Sequence, residues 1–310
     1  MLIIFQTNQL CLRGTSVAVY DYALNAKALL GHEVIIASCK NNNMDALPKF
    51  QKQFEVFLYD HPSEIDKLAS DRGADFMYMI KSGRRDGIES KVCKNLVHAV
   101  FLDHDPHGHR YAYVSEWLAR AAGWAHYVPH IVEPLPYLGH LRQELGIPEN
   151  ALVFGRHGGN DTFDLPFVKQ SVVDIAKSNP EIYFLFLNTD KFCTVLKNVI
   201  HLKGTSSLVV KSKFIHTCDA MLHGRGRGET FGLSVGEFST ANKPVLTWSG
   251  SPEKAHIEVL GDKGLYYRDG DSLKTLIKGF SKDTHTNWDC YSERFSPNRV
   301  MEQFERVYLN

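Results

Sequence analysis

The sequence has no excess of charge: among 310 residues, Lys+Arg and Asp+Glu each number 35. A chain that is neutral overall carries no electrostatic footprint for nucleic acid, so any anion site has to be local. No apolar run approaches the roughly 20 residues that cross a bilayer. The opening MLIIFQTNQLCLRG is apolar for only a few residues and has no basic leader, so it reads as a first buried strand and not as a signal peptide. The six cysteines (Cys11, Cys39, Cys93, Cys193, Cys218, Cys290) include no C-x-x-C pair. Free thiols in a cytoplasmic protein are the simple reading. Internal repeats and low-complexity segments are missing as well. So is G-x-G-x-x-G after the first strand: LRGTSVAVYD offers one glycine, which weighs against a dinucleotide-dependent oxidoreductase.

What is present is an ordinary folding composition, 44% hydrophobic and 23% charged. The length suits two domains of about 100–200 residues each. In the first half, strand runs LIIFQ (2–6), GHEVIIAS (31–38), FEVFLY (54–59), DFMYMI (75–80) and NLVHAVFL (95–102) alternate with helical stretches. One of these runs from Ser16 to Leu30, and another is SEWLARAAG (115–123). AHYVPHIV (125–132) then meets Pro134 and Pro136. After that break the pattern restarts with ALVFG (151–155), EIYFLFL (181–187), DAMLHG (219–224), KPVLTW (243–248) and GLYY (264–267). Helical stretches separate them near 166–178, 207–216, 232–241, 253–260 and 271–281, and an amphipathic stretch at 287–307 reads as a closing helix. Strands separated by helices predict α/β units with parallel sheets, here in two doubly wound halves facing a central cleft.

The most informative segment is HGRGRGETFGLSVGEFSTANKPVLTW (223–248), with glycines at 224, 226, 228 and 232 around Arg225 and Arg227. Glycine lets backbone N–H groups come close to a ligand, and the free N–H groups of a helix start favour an anion. Arginines add bidentate phosphate contacts. Glu229 precedes the expected helix and Glu237 lies about one and a half turns into it, its side chain tilted back towards the helix start. Carboxylates are ill placed for phosphate but suit sugar hydroxyls, which donate to them.

Glu229, seven intervening residues, Glu237 and then NKPV (242–245) resemble the E-x-F-G…E…P-V signature of the retaining GT-B glycosyltransferases of family 4. The opening glycine loop with GHEV (31–34), VFGRHGG (153–159) and HTCDAML (216–222) extend the resemblance over most of the chain. It implies a GT-B fold of two Rossmann-like domains. These would be an acceptor-side domain at 1–133, a linker at 134–149, a nucleotide-sugar domain at 150–285 and a closing helix at 286–310 packing back on the first domain. It implies a hexosyltransferase that retains configuration, taking a UDP- or GDP-sugar donor and a sugar-containing acceptor, with no metal and no other cofactor. Carried over residue by residue, Glu229 would contact the donor sugar and Glu237 the ribose diol. The amides of Phe231, Gly232 and Leu233 would meet sugar or diphosphate. Arg156 would neutralise the leaving diphosphate, Gly14 would bring its amide to the phosphates, and His98 would lie near the reacting carbon. A homo-oligomer is compatible with this reading.

The sequence departs from the family in one respect that matters. The Lys usual five residues after the strand-terminal Arg is replaced by Asp161. Arg225 or Arg227 is the candidate second cation. Asn242, in place of the family's common Gly, is a minor change. Plainer readings stand beside the sharp ones: Glu229 as a helix-dipole partner, Arg156 as a strand-end cation, His98 as a core histidine and Gly14 as a turn former. A further alternative is a sugar-nucleotide-binding protein without turnover. Asp103, His104, Asp105, His107 and His109 resemble a metal cluster but lack a fixed ligand spacing, so a solvated loop is the expectation there.

Overall fold

The strand-forming runs of the first half assemble into a six-stranded, fully parallel sheet. The computed structural model describes residues 1–283 and 285–310 and divides into two units, Met1–Ile131 with Phe295–Asn310, and Val132–Arg294. In the first unit the elements are β1 (Leu2–Thr7), α1 (Gly14–Ala28), β2 (Glu33–Cys39), α2 (Leu47–Gln51), β3 (Glu55–Tyr59), α3 (Ser63–Arg72), β4 (Phe76–Lys81), β5 (Lys94–Ala99), β6 (Arg110–Tyr113) and α4 (Glu116–Ala121). The sheet order is β3-β2-β1-β4-β5-β6. All six positions of β1 are buried, as a central parallel strand covered on both faces requires. The edge strand β6 takes up only RYAY, too short for periodicity to separate it from the polar loop before it.

The second unit runs β7 (Leu152–His157), α5 (Pro166–Ser178), β8 (Ile182–Leu187), β9 (Val199–Leu202), α6 (Leu208–Thr217), β10 (Ala220–Leu222), β11 (Gly228–Glu229), α7 (Leu233–Thr240), β12 (Val245–Trp248), β13 (Glu253–Lys254), α8 (Ala255–Leu260), β14 (Leu265–Tyr267) and α9 (Gly270–Lys278). Its main sheet is ordered β14-β12-β10-β7-β8-β9, and β11 pairs with β13 as a separate two-stranded ladder. Renumbered within the unit, this is again the 3-2-1-4-5-6 order of a doubly wound fold, with the switch point between β7 and β10. The core beneath it is aromatic, built on Phe154, Phe163, Phe184, Phe186 and Tyr267.

The expected closing helix at 287–307 is shorter. Its first part is held as loop, because Asp289 Oδ1 accepts the backbone N–H groups of Tyr291 (2.9 Å) and Ser292 (3.0 Å). Asn242 Oδ1 takes the N–H of Trp288 at 2.7 Å. Only Pro297–Phe304, α10, is α-helical, and it continues as a π turn over Glu305–Leu309. The proline at its start supplies a preset φ and lacks an N–H that would go unused there. Phe304 stacks on Tyr22 at 5.5 Å, and Tyr308 meets Tyr78 edge-on at 5.7 Å.

The same aromatic group encloses His98 on β5. The residue is 0% exposed. Its ring lies 5.6 Å from Tyr22 and 5.6 Å from His130, and its Nδ1 is 2.6 Å from the Tyr78 hydroxyl. Burial raises the Tyr78 phenol well above its ordinary value, so this hydroxyl keeps its proton. Burial also holds His98 down at about 3, and it pushes His130 well below the usual histidine value. His98 is thus packed as a core histidine of the first unit, with no atom reaching solvent. A histidine kept neutral by the fold takes up protons more readily once unfolded. Its stabilising contribution is therefore complete above the unfolded value of 6.5 and is lost as pH falls from there towards 3. Lowering pH from 7 to 5 is expected to cost about 2 kcal/mol per such histidine. Urea midpoints at the two pH values for wild type and His98→Phe measure this. The variant should lose less stability than wild type over the interval, and equal losses would show that His98 does not drive the dependence.

Candidate active site

In a doubly wound sheet a ligand lies beyond the carboxyl ends of the strands at the switch point. In the second unit those ends are Arg156 and His157 on β7 and His223 just after β10. Arg156 is 5% exposed. Its guanidinium donates to Thr189 Oγ1 at 2.5 Å, to the Gly159 carbonyl at 3.0 Å and to Thr162 Oγ1, and it lies over the Phe163 ring at 5.8 Å. Burial lowers its pKa to about 10, against the pull of Glu229, so it stays charged at neutral pH. The charges of Arg225, Asp164 and Asp161 also act on it.

Glu229 sits on β11 at the mouth of this end. Its Oε2 is 2.6 Å from Arg225 Nη1 and its Oε1 is 3.2 Å from His223 Nε2. Burial alone would raise the carboxyl. The His223 hydrogen bond and the positive charge of Arg225 outweigh burial and hold Glu229 at about 2. Behind it, His223 Nδ1 lies 2.9 Å from Thr247 Oγ1, and that oxygen is 3.0 Å from His256 Nε2. Burial keeps His256 at about 3, neutral at physiological pH. Arg227 turns the other way. Its Nε meets Glu253 Oε1 on β13 at 2.7 Å, with the arginine side chain half exposed. Of the two arginines offered as a substitute for the missing Lys, Arg225 is the one whose charge reaches Arg156.

Glu237, one turn into α7, is buried and, like Glu229, matched by positive partners. Lys211 on α6 bonds its Oε1, and His157 Nε2 stands 2.9 Å from its Oε2. Burial opposes ionisation, but Lys211 and His157 prevail and hold the carboxyl at about 2. His157 is itself stacked on Phe238 of the same helix at 5.7 Å. Between the two glutamates, Gly232 caps α7 with φ 94°, a left-handed backbone in which a Cβ would lie 3.2 Å from the Cβ of His256. Leu233 opens the helix, and Phe231 is buried with its carbonyl 3.4 Å from the Tyr291 hydroxyl. The other glycines of the segment serve the unit itself. A side chain at Gly224 would run into the Phe163 ring, and the Gly226 N–H already donates to Asp164 Oδ1 at 2.6 Å.

Gly14 lies in the first unit as the exposed first residue of α1. The histidine-rich loop belongs to that unit too. There Asp103 pairs with Arg84 at 3.0 Å, His104 Nδ1 is 2.9 Å from the Tyr113 hydroxyl, and His107 Nδ1 is 2.6 Å from the Asp105 carbonyl. Among the described residues no three His, Cys, Asp or Glu side chains are placed to share a metal ion. Nor is any helix long and apolar enough to cross a membrane.

No family model matches the sequence, and no curated protein matches it. Solved structures do. HepE from Anabaena, in complex with UDP-glucose, matches with a TM-score of 0.76 over 99% of this chain and 98% of its own, at 13% identity. A glycosyltransferase from Rickettsia africae matches with 0.73 over 99% and 97%, at 12% identity. A candidate UDP-N-acetylglucosamine 2-epimerase from Listeria monocytogenes matches with 0.60 over 98% and 95%, also at 12%. At such identities the likeness is one of fold. The chain has the GT-B fold.

Within that GT-B fold the second unit brings Arg156, Arg225 and Glu229 into one electrostatic group, with Gly232 packed against Glu229 and Glu237 one turn further on. The first unit keeps Gly14 and buries His98. Sequence reasoning missed His157, Lys211, His223, Thr247 and His256. His157 and His223 stood inside the quoted motifs, one beside Arg156 and the other ahead of Gly224. Lys211 gives no local signal, because the helix carrying it meets Glu237 only through tertiary packing. The left-handed Gly232 generates a test. Gly232→Ala should cost about 1–2 kcal/mol from the backbone alone, read as a lower melting temperature. An unchanged melting temperature would mean that α7 starts in another conformation.

Proposed function

We propose that this protein is a retaining glycosyltransferase that moves a hexose from a UDP- or GDP-sugar to a hydroxyl of a glycan, glycoprotein or glycolipid. The observation that carries the reading is the pair of ionised carboxylates, Glu229 half-buried and Glu237 buried, at the switch-point end of the second unit beside Arg156 and Arg225. The family 4 signature and the fold shared with HepE, whose structures hold UDP and UDP-glucose, support it and favour UDP. In this reading residues 1–133 form the acceptor side, 134–149 a linker, 150–285 the donor domain, and 286–310 the closing segment.

Glu237 accepts the ribose diol and Glu229 the hydroxyls of the donor hexose. Arg156 and Arg225, with the amides of Phe231, Gly232 and Leu233, stabilise the charge that develops on the diphosphate as the bond from the anomeric carbon to its oxygen breaks. The acceptor oxygen attacks the oxocarbenium-like carbon from the face the diphosphate leaves. Its proton passes to a phosphate oxygen, so no protein nucleophile is used. Donor binding then needs no divalent metal.

Calorimetric titration with UDP, GDP, NAD and a panel of nucleotide sugars tests the class, with turnover followed as released nucleotide. Binding of NAD in preference to nucleotide diphosphates would favour an oxidoreductase. Interconversion of a donor with its 2-epimer, without transfer, would favour an epimerase, and binding without turnover a receptor. Affinity and turnover should be unchanged by EDTA, and complete dependence on Mn²⁺ would overturn the metal-free reading.

The two glutamates are expected to separate. A carboxylate accepting sugar hydroxyls contributes on the order of 1.5–3 kcal/mol, or ten- to a hundredfold in affinity. Glu237→Gln should weaken free nucleotide diphosphate and nucleotide sugar alike. Glu229→Gln should leave free nucleotide diphosphate within about twofold and lower sugar-nucleotide turnover ten- to a hundredfold. Each variant strips a half-buried cation of its carboxylate, so both should melt lower. The ligand pattern is what discriminates, and equal weakening of every ligand by both variants would mean that the glutamates are only structural.

A further inference from the structure

We propose that Thr247 and His256 are positioning residues that orient Glu229 through His223. The inference rests on the donor-sugar role of Glu229 given above. Four side chains from separate stretches of the chain meet in succession: His256 on α8, Thr247 on β12, His223 after β10 and Glu229 on β11. The contacts are His256 Nε2 to Thr247 Oγ1 at 3.0 Å, Thr247 Oγ1 to His223 Nδ1 at 2.9 Å, and His223 Nε2 to Glu229 Oε1 at 3.2 Å. The two imidazoles are 4.7 Å apart, and His256 and Thr247 are both 0% exposed.

Glu229 is paired with Arg225 at 2.6 Å, so it is a carboxylate, and a carboxylate only accepts. His223 therefore donates from Nε2. Its other ring nitrogen is held by the Thr247 hydroxyl, which His256 Nε2 meets from the far side. One hydroxyl thus holds the tilt of His223. The Tyr267 hydroxyl holds the His223 carbonyl at 2.5 Å, which anchors the backbone of the same residue. Arg225 grips the other carboxylate oxygen and is 22% exposed, whereas His223 is 4% exposed. The buried row is accordingly the rigid support of Glu229, and the arginine is the side open to exchange with a ligand.

The test is Thr247→Val, which keeps the volume and removes the hydroxyl, compared with Thr247→Ser, which restores it. A misplacement of a binding group by about an ångström is worth on the order of a hundredfold in rate. Turnover of UDP-glucose, or of whichever donor of the panel the wild type uses, should fall about ten- to a hundredfold in the Val variant. Its affinity for free UDP should stay within about twofold, and the Ser variant should recover to within about threefold of wild type. A merely structural role would weaken UDP as well and would not follow the hydroxyl. If the Val variant does not fold by circular dichroism, His256→Phe breaks the far end of the row without altering Thr247, and the same split between turnover and UDP affinity is expected. Wild-type turnover that persists in a folded Val or Phe variant overturns the positioning role alone. A wild type that turns over no nucleotide sugar of the panel overturns the glycosyltransferase reading, and this inference with it.

Discussion

A carboxylate taken out of water must be met by positive charge or by hydrogen-bond donors, or it will not stay ionised. The second unit buries two within eight positions of each other, and much of its local architecture follows from that demand. Glu229 draws in Arg225 from its own loop and His223 from the end of β10. Glu237 draws in Lys211 from α6 and His157 from the end of β7. The partners come from different elements, so the carboxylates tie the ends of β7 and β10 to the helices that flank them. Both remain ionised with pKa values near 2, despite burial.

The path of the chain between the two glutamates answers a second constraint. Thr230 and Phe231 are buried, and α7 has to begin in the space beside Glu229 and above His256. Gly232 makes the turn with a left-handed backbone that a side chain would strain, in a gap that a Cβ would crowd. The glycines earlier in the loop serve packing. Gly224 allows Phe163 to approach, and Gly226 gives its N–H to Asp164. A glycine-rich, arginine-bearing segment thus looks from sequence like a phosphate cradle, yet most of its peptide groups are spent inside the unit. The start of α7 is the stretch where a helix end and a permissive residue coincide.

How much was legible follows from the range of each interaction. The strand and helix pattern, the restart near Pro134 and the doubly wound class rest on local periodicity, and the sheets have the order that class requires. Glu229, Glu237, Arg156 and Arg225 lie in contiguous motifs, so the sequence pointed to them. The relation of Arg225 to Glu229 even has helical spacing, four residues apart. What was not legible depends on tertiary contacts: Lys211 on α6, Thr247 on β12 and His256 on α8 meet the site only through packing, which their local sequence does not announce. His98 shows the converse. A histidine in an apolar strand run fitted both a site place and a core place, and its sequence did not announce the packing of Tyr22, Tyr78 and His130 around it. The closing helix was overdrawn because amphipathic spacing does not register Asp289 and Asn242 capturing backbone N–H groups of the segment.

The charge balance of the site sharpens the proposed chemistry. Asp161, five residues after Arg156, puts a negative charge near it, and Asp164 also acts on Arg156. The cations present are already engaged, Arg225 by Glu229, Lys211 by Glu237 and Arg156 by Thr189, Thr162 and the Gly159 carbonyl. On the proposed reading, a diphosphate finds Arg225 already paired with Glu229 and has to take it by exchange. Arg225 is the partner best able to exchange, since it is more exposed than the carboxylate it grips. A donor would bring both halves of the replacement: hydroxyls that donate to Glu229 and phosphate oxygens that accept from Arg225. A free anion offers only the second half and would leave a buried carboxylate short of a donor. On the proposed reading, the site discriminates for an intact sugar nucleotide through this requirement that both halves of an internal ion pair be satisfied at once.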